Sequence, residues 1–215
     1  MKNILCFGDS NTWGYSPQDG SRHSPNVRWT GVLQKTLGND YRIIEEGLNG
    51  RTTFVNEEGD EARPLRSGSD VLQIILESHR PLDFVIIMLG TNDLKVEFNL
   101  SAEEIAQGAK DLCETVLNSE YLVDNPPQIL LISPTLIGST IMPDQEEFFN
   151  QARKKSLQFA EFFEKAANEA GVHFLDAALS VKVSEVDGVH WDADQHQEFG
   201  KVLAELIEQI LLNMN

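Results

Sequence analysis

The chain is 215 residues long and carries 17 basic against 34 acidic side chains, a formal charge of −17. That length fits one domain, residues 1–215, with a sizeable core, and 41% hydrophobic with 24% charged residues is the make-up of a globular protein, not a disordered one. A field of this sign repels phosphate backbones and anionic lipid, and no basic patch interrupts it, so neither nucleic acid nor a membrane is an expected partner.

The first residues run directly into Ile4–Phe7, a short apolar strand ended by Gly8, without the h-region and small-residue cleavage site of a secretory leader. No apolar run approaches the ~20 residues that cross a bilayer, and the expected location is the cytoplasm. Residues 27–37 place Trp29, Val32, Leu33 and Leu37 at helical spacing. A strand is expected over 41–45, closed by Gly47, then an apolar helix over 70–78. Asp83 to Gly90 is a near-continuous apolar run between Pro81 and Gly90, the pattern of a strand buried on both faces. Ser101 and Glu104 have the spacing of a capping box that opens a helix toward Leu117. Residues 129–132 form a strand stopped by Pro134, and 145–170 read as one long helix rich in phenylalanine, ended by Gly171. A short strand over 173–176 and a helix over 192–212 complete the chain. Cys6 and Cys113, far apart in apolar patterns, read as buried free thiols.

Five strands alternating with five helices predict a three-layer α/β/α architecture, flavodoxin-like, around a mainly parallel five-stranded sheet. Ligands of such sheets bind at the carboxyl ends of the strands. The segments at those ends are therefore informative: Gly8-Asp9-Ser10-Asn11, Gly47-Leu48-Asn49-Gly50-Arg51-Thr52, Gly90-Thr91-Asn92-Asp93 and, before the last helix, Asp187-Gly188-Val189-His190. A serine in a glycine turn or an isolated Asp-x-x-His is structural far more often than catalytic. Together, on one edge of one sheet, they supply a hydroxyl, an imidazole, a carboxylate, a carboxamide and glycine backbone, which are the parts of an acyl-transfer site. Thr12 stands where a Gly-x-Ser-x-Gly elbow would have glycine, which disfavours the α/β-hydrolase fold. Asp9 and Asp93 read as structural carboxylates.

These segments resemble the signature blocks of the SGNH (GDSL-type) hydrolases over nearly the whole chain. The longer strings Val27-Arg28-Trp29-Thr30-Gly31-Val32-Leu33, Glu45-Glu46-Gly47-Leu48 and Ile86 to Asp93 are similar to its arylesterase/acyltransferase branch. The resemblance implies a serine esterase acting on small carboxylic esters, with no cofactor and no metal. Ser10 would be the nucleophile, His190 its base and Asp187 the carboxylate that orients the imidazole. The backbone N–H groups of Ser10 and Gly50 and the amide of Asn92 would form the oxyanion hole. Trp13, Tyr15 and Trp191 are expected to line the substrate pocket, with Thr91 and Val189 beside them. The residue after the serine is often leucine in the family, and Asn11 here is expected to make the pocket rim more polar. The resemblance also implies a homo-oligomer and acyl transfer to alcohols. Carbohydrate O-deacetylation, lysophospholipid cleavage and a non-enzymatic flavodoxin-like binding domain are the alternatives.

Overall fold

The structure is a computed structural model and describes residues 1–56, 65–139, 149 and 151–212. Its sheet has five strands: β1 Lys2–Gly8, β2 Tyr41–Gly47, β3 Phe84–Met88, β4 Gln128–Ser133 and β5 His173–Asp176. They lie in the order β2-β1-β3-β4-β5, and every pairing is parallel. Among the described residues the α-helices are α1 Ser10–Trp13, α2 Trp29–Leu37, α3 Gly68–His79, α4 Ala102–Leu117, α5 Ala152–Ser156, α6 Phe159–Ala170 and α7 Ala193–Leu212.

Alternate residues of each central strand enter different cores, which is why these strands read as unbroken apolar runs. Leu5, Phe7, Val85, Ile87 and Leu131 pack with Leu72 and Leu76 of α3, Ile105 and Leu112 of α4 and Phe159 and Phe163 of α6. Ile4, Cys6, Phe84, Ile86 and Leu130 pack with Trp29 and Leu33 of α2 and Phe199, Leu203 and Ile207 of α7. The expected three layers are therefore present, and both cysteines are buried and free. The capping box is complete: Ser101 Oγ accepts from the Glu104 N–H at 3.2 Å, and the Glu104 carboxylate accepts from the Ser101 N–H at 2.8 Å.

One predicted element is corrected. The expected helix over 145–170 begins outside the described residues, and its remainder is two helices, α5 and α6, parted at 157–158. The Ser156 hydroxyl turns back to donate to Arg153 O at 2.8 Å and accepts the Ile137 N–H at 3.1 Å, which diverts the local hydrogen bonding and leaves Leu157 exposed. Among the described residues no helix is long and apolar enough to cross a membrane.

Register brings the site together. Gly8 pairs with Gly47 on one side and Met88 on the other, so β1, β2 and β3 end at one level. The turns after them share an edge. Gly47 is required there, because a Cβ on it would lie 2.2 Å from the Trp13 nitrogen and push α1 off the end of β2.

Candidate active site

The site grows from the turn after β1. Asp9 caps α1, accepting the Asn11 N–H at 2.9 Å, and this turn carries Ser10. Far along the chain, the loop before α7 folds on Asp187, whose Oδ1 accepts the N–H groups of Val189 and His190, each at 2.9 Å. The other carboxylate oxygen takes His190 Nδ1 at 2.6 Å, and His190 Nε2 lies 2.9 Å from Ser10 Oγ. These bonds assign the proton to Nδ1 and leave Nε2 to accept from the serine hydroxyl. Burial pushes the Asp187 carboxyl up, but the imidazole and backbone hydrogen bonds outweigh it and hold the group below the ordinary carboxylate range.

Asn92, after β3, donates through Nδ2 to Arg51 O at 3.0 Å. This ties it to the turn after β2, where Gly50 has φ of 81°, a left-handed conformation that glycine adopts without strain. A carboxamide nitrogen has two hydrogens, so one bond to Arg51 leaves the second for another acceptor. Asp93 fixes the same turn from below, accepting the Thr53 N–H at 2.9 Å and its hydroxyl. Burial raises Asp9 and Asp93 to about 6 each. Tyr15 stacks on His190, ring centroids 4.2 Å apart and planes 34° from parallel. Trp13 is half-buried with the Arg22 guanidinium 5.3 Å above its ring. Thr91 and Val189 are buried beside Asn92 and His190.

Two pocket-lining expectations are corrected. Trp191 is fully buried in the core under α7: its ring meets Phe199 at 4.8 Å and its indole N–H donates to Thr135 Oγ1 at 3.0 Å. An indole with its one donor satisfied inside the core does not line a pocket. Asn11 is 3% exposed, with its amide spent on the backbone on either side of His190, so it adds no polarity to a rim.

Arg51 is a residue that sequence reasoning missed. It is buried beneath the turn that carries Ser10, donates to Gly8 O at 3.0 Å and to Glu46 O, and stacks on Phe7 with its guanidinium carbon 4.2 Å from the ring centroid. Burial lowers its pKa to about 10, and it remains a cation at neutral pH. It closes the strand ends on which Ser10 and Gly50 stand.

The family model of the GDSL-like lipase/acylhydrolase family matches residues 6–200. No curated protein matches the chain. Among solved structures, the native aryl esterase of M. smegmatis is 38% identical with a TM-score of 0.90, over 97% of this chain and 99% of that one. A carbohydrate acetylesterase family member from Sinorhizobium meliloti is 34% identical with a TM-score of 0.93, over 98% and 99%. A further carbohydrate acetylesterase from the same organism is 35% identical with a TM-score of 0.91, over 98% and 100%. With the family model covering most of the chain, and similar esterase structures spanning nearly all of it, the chain belongs to the GDSL-like lipase/acylhydrolase family and is a carboxylic ester hydrolase.

Proposed function

We propose that the protein hydrolyses esters of small acyl groups through an acyl-serine intermediate on Ser10. The observation that carries this reading is the unbroken hydrogen-bonded series Asp187–His190–Ser10, at 2.6 and 2.9 Å. His190 Nε2 takes the Ser10 proton as Oγ bonds to the ester carbonyl carbon. The carbonyl oxygen becomes an oxyanion that accepts from the Ser10 and Gly50 N–H groups and the free hydrogen of Asn92. The carbon–oxygen bond to the alcohol then breaks, and His190 returns the proton to the leaving oxygen. Water repeats the sequence and frees the acid. Asp187 stays ionised throughout and stabilises the imidazolium.

An acetyl-sized acyl group is favoured because similar structures include carbohydrate acetylesterases and an aryl esterase. A p-nitrophenyl ester series from acetate to decanoate tests this, with turnover expected to fall as the chain lengthens. Ser10→Ala should abolish turnover and covalent labelling by a fluorophosphonate while leaving the melting temperature near wild type. Retained turnover in that variant would end the assignment. The same reading has residues 1–215 as one domain acting in the cytoplasm as a homo-oligomer, which light scattering checks. Acyl transfer to alcohols needs a site that holds water back. With Trp191 in the core, only Trp13 and Tyr15 of the three aromatic residues remain for that task, so hydrolysis is the favoured outcome when a primary alcohol competes with water.

A further inference from the structure

His190 is held from behind by a side chain that takes no part in the chemistry. Asn11 Nδ2 donates to Val189 O at 3.3 Å, and Asn11 Oδ1 accepts the Trp191 N–H at 3.2 Å. One planar amide thus grips the carbonyl before His190 and the N–H after it, the two groups that a neighbouring β-strand would pair. The backbone of His190 itself is fixed as well: its N–H donates to Asp187 Oδ1 at 2.9 Å and its carbonyl accepts the Ser184 N–H at 2.7 Å. Asn11 is in turn anchored, with its N–H on Asp9 Oδ1 at 2.9 Å and its carbonyl accepting the Trp29 indole N–H at 3.0 Å. Asn11 is itself buried, and it is covalently next to Ser10.

We infer that Asn11 is a positioning residue: it holds His190 in register with Ser10, so that a strut one residue long sets the nucleophile–base separation across 180 residues of chain. This inference rests on the reading of Ser10, His190 and Asp187 as the reacting groups. An amide suits the task because one lobe donates and the other accepts. Aspartate has the same shape with no donor when ionised, and turns a carboxylate oxygen on Val189 O. Leucine has similar bulk and leaves both backbone groups unpaired in a buried place.

The test compares wild type, Asn11→Asp and Asn11→Leu by steady-state kinetics on p-nitrophenyl acetate, by the rate of fluorophosphonate labelling at Ser10, and by proton NMR of the low-field His190 Nδ1–H. Thermal melts establish that each variant is folded, and the near-isosteric Asn11→Asp keeps the test open if Asn11→Leu does not fold. The expected result is a fall in kcat of about 10-fold to 100-fold, the scale of a small misplacement in a reacting pair. KM should stay within about twofold, the labelling rate should fall in parallel, and the imidazole resonance should broaden or shift. A folded Asn11→Asp variant labelled at the wild-type rate, or one whose loss is all in KM, overturns the inference and makes Asn11 structural or a substrate contact. Failure of the wild-type protein to label at Ser10 would instead overturn the reading of the reacting groups beneath it.

Discussion

On the proposed mechanism the two amide hydrogens of Asn92 divide labour. One holds the turn of Arg51 and the other donates to the oxyanion, so Asn92→Ala should lower kcat by about 10²-fold or more with little change in KM. A variant with normal kcat and a raised KM would make Asn92 a substrate contact instead. The residue types of this site are legible in the sequence because their chemistry is carried by side-chain identity at a strand end: Ser10, Asn92, Asp187 and His190 need no knowledge of their neighbours to be noticed. Partners are not legible. Asn11 bonds to atoms 178 and 180 residues away, and Arg51 bonds to backbone carbonyls, which no sequence pattern encodes. Trp191 turns into the core rather than toward a pocket because adjacency to His190 does not decide which side of a loop a side chain faces.

At the scale of elements, boundaries with a chemical signature are readable and those set by packing are not. The capping box of α4 follows from a serine and a glutamate three apart, and the structure has both of its bonds. Ser101→Ala should therefore cost about 1 kcal/mol, the usual worth of an N-cap, and lower the melting temperature by about 2–4 °C in a chain of this size. An unchanged melt would mean that the first turn is held by packing alone. The break between α5 and α6 has no such signature, because apolar spacing runs on through it and the cause is a hydroxyl reaching Ile137. The four-residue α1 is likewise invisible in the sequence, being too short to show a period of 3.6.

Across the whole molecule, buried ionisable groups set opposing pH dependences. Burial lowers His196 from its ordinary 6.5 to about 3, helped by His23 and His190. The unfolded chain takes up that proton as pH falls through 6.5 and the folded chain does not until about 3, so acid costs stability over that window. Asp9 and Asp93 act the other way: they stand at about 6 against an ordinary 3.8, and the folded chain binds their protons first as pH falls from 6 toward 4. His196→Asn, which keeps an acceptor for the Trp29 N–H now bonded at 3.4 Å, removes only the first effect. It should melt below wild type at pH 7.5 and close that gap as pH approaches 4.5. A gap independent of pH would mean that His196 does not contribute to the acid response. The parallel sheet order also has a consequence in time. A ribosome lays down Ser10 directly after β1 but must add the strands up to β5 before it reaches His190, so on the proposed mechanism a nascent chain holds its nucleophile without a base while those strands are made. On that mechanism ester cleavage begins only after the segment holding Asp187 and His190 has emerged and docked against the turn after β1, which makes turnover a report that these two distant segments have met.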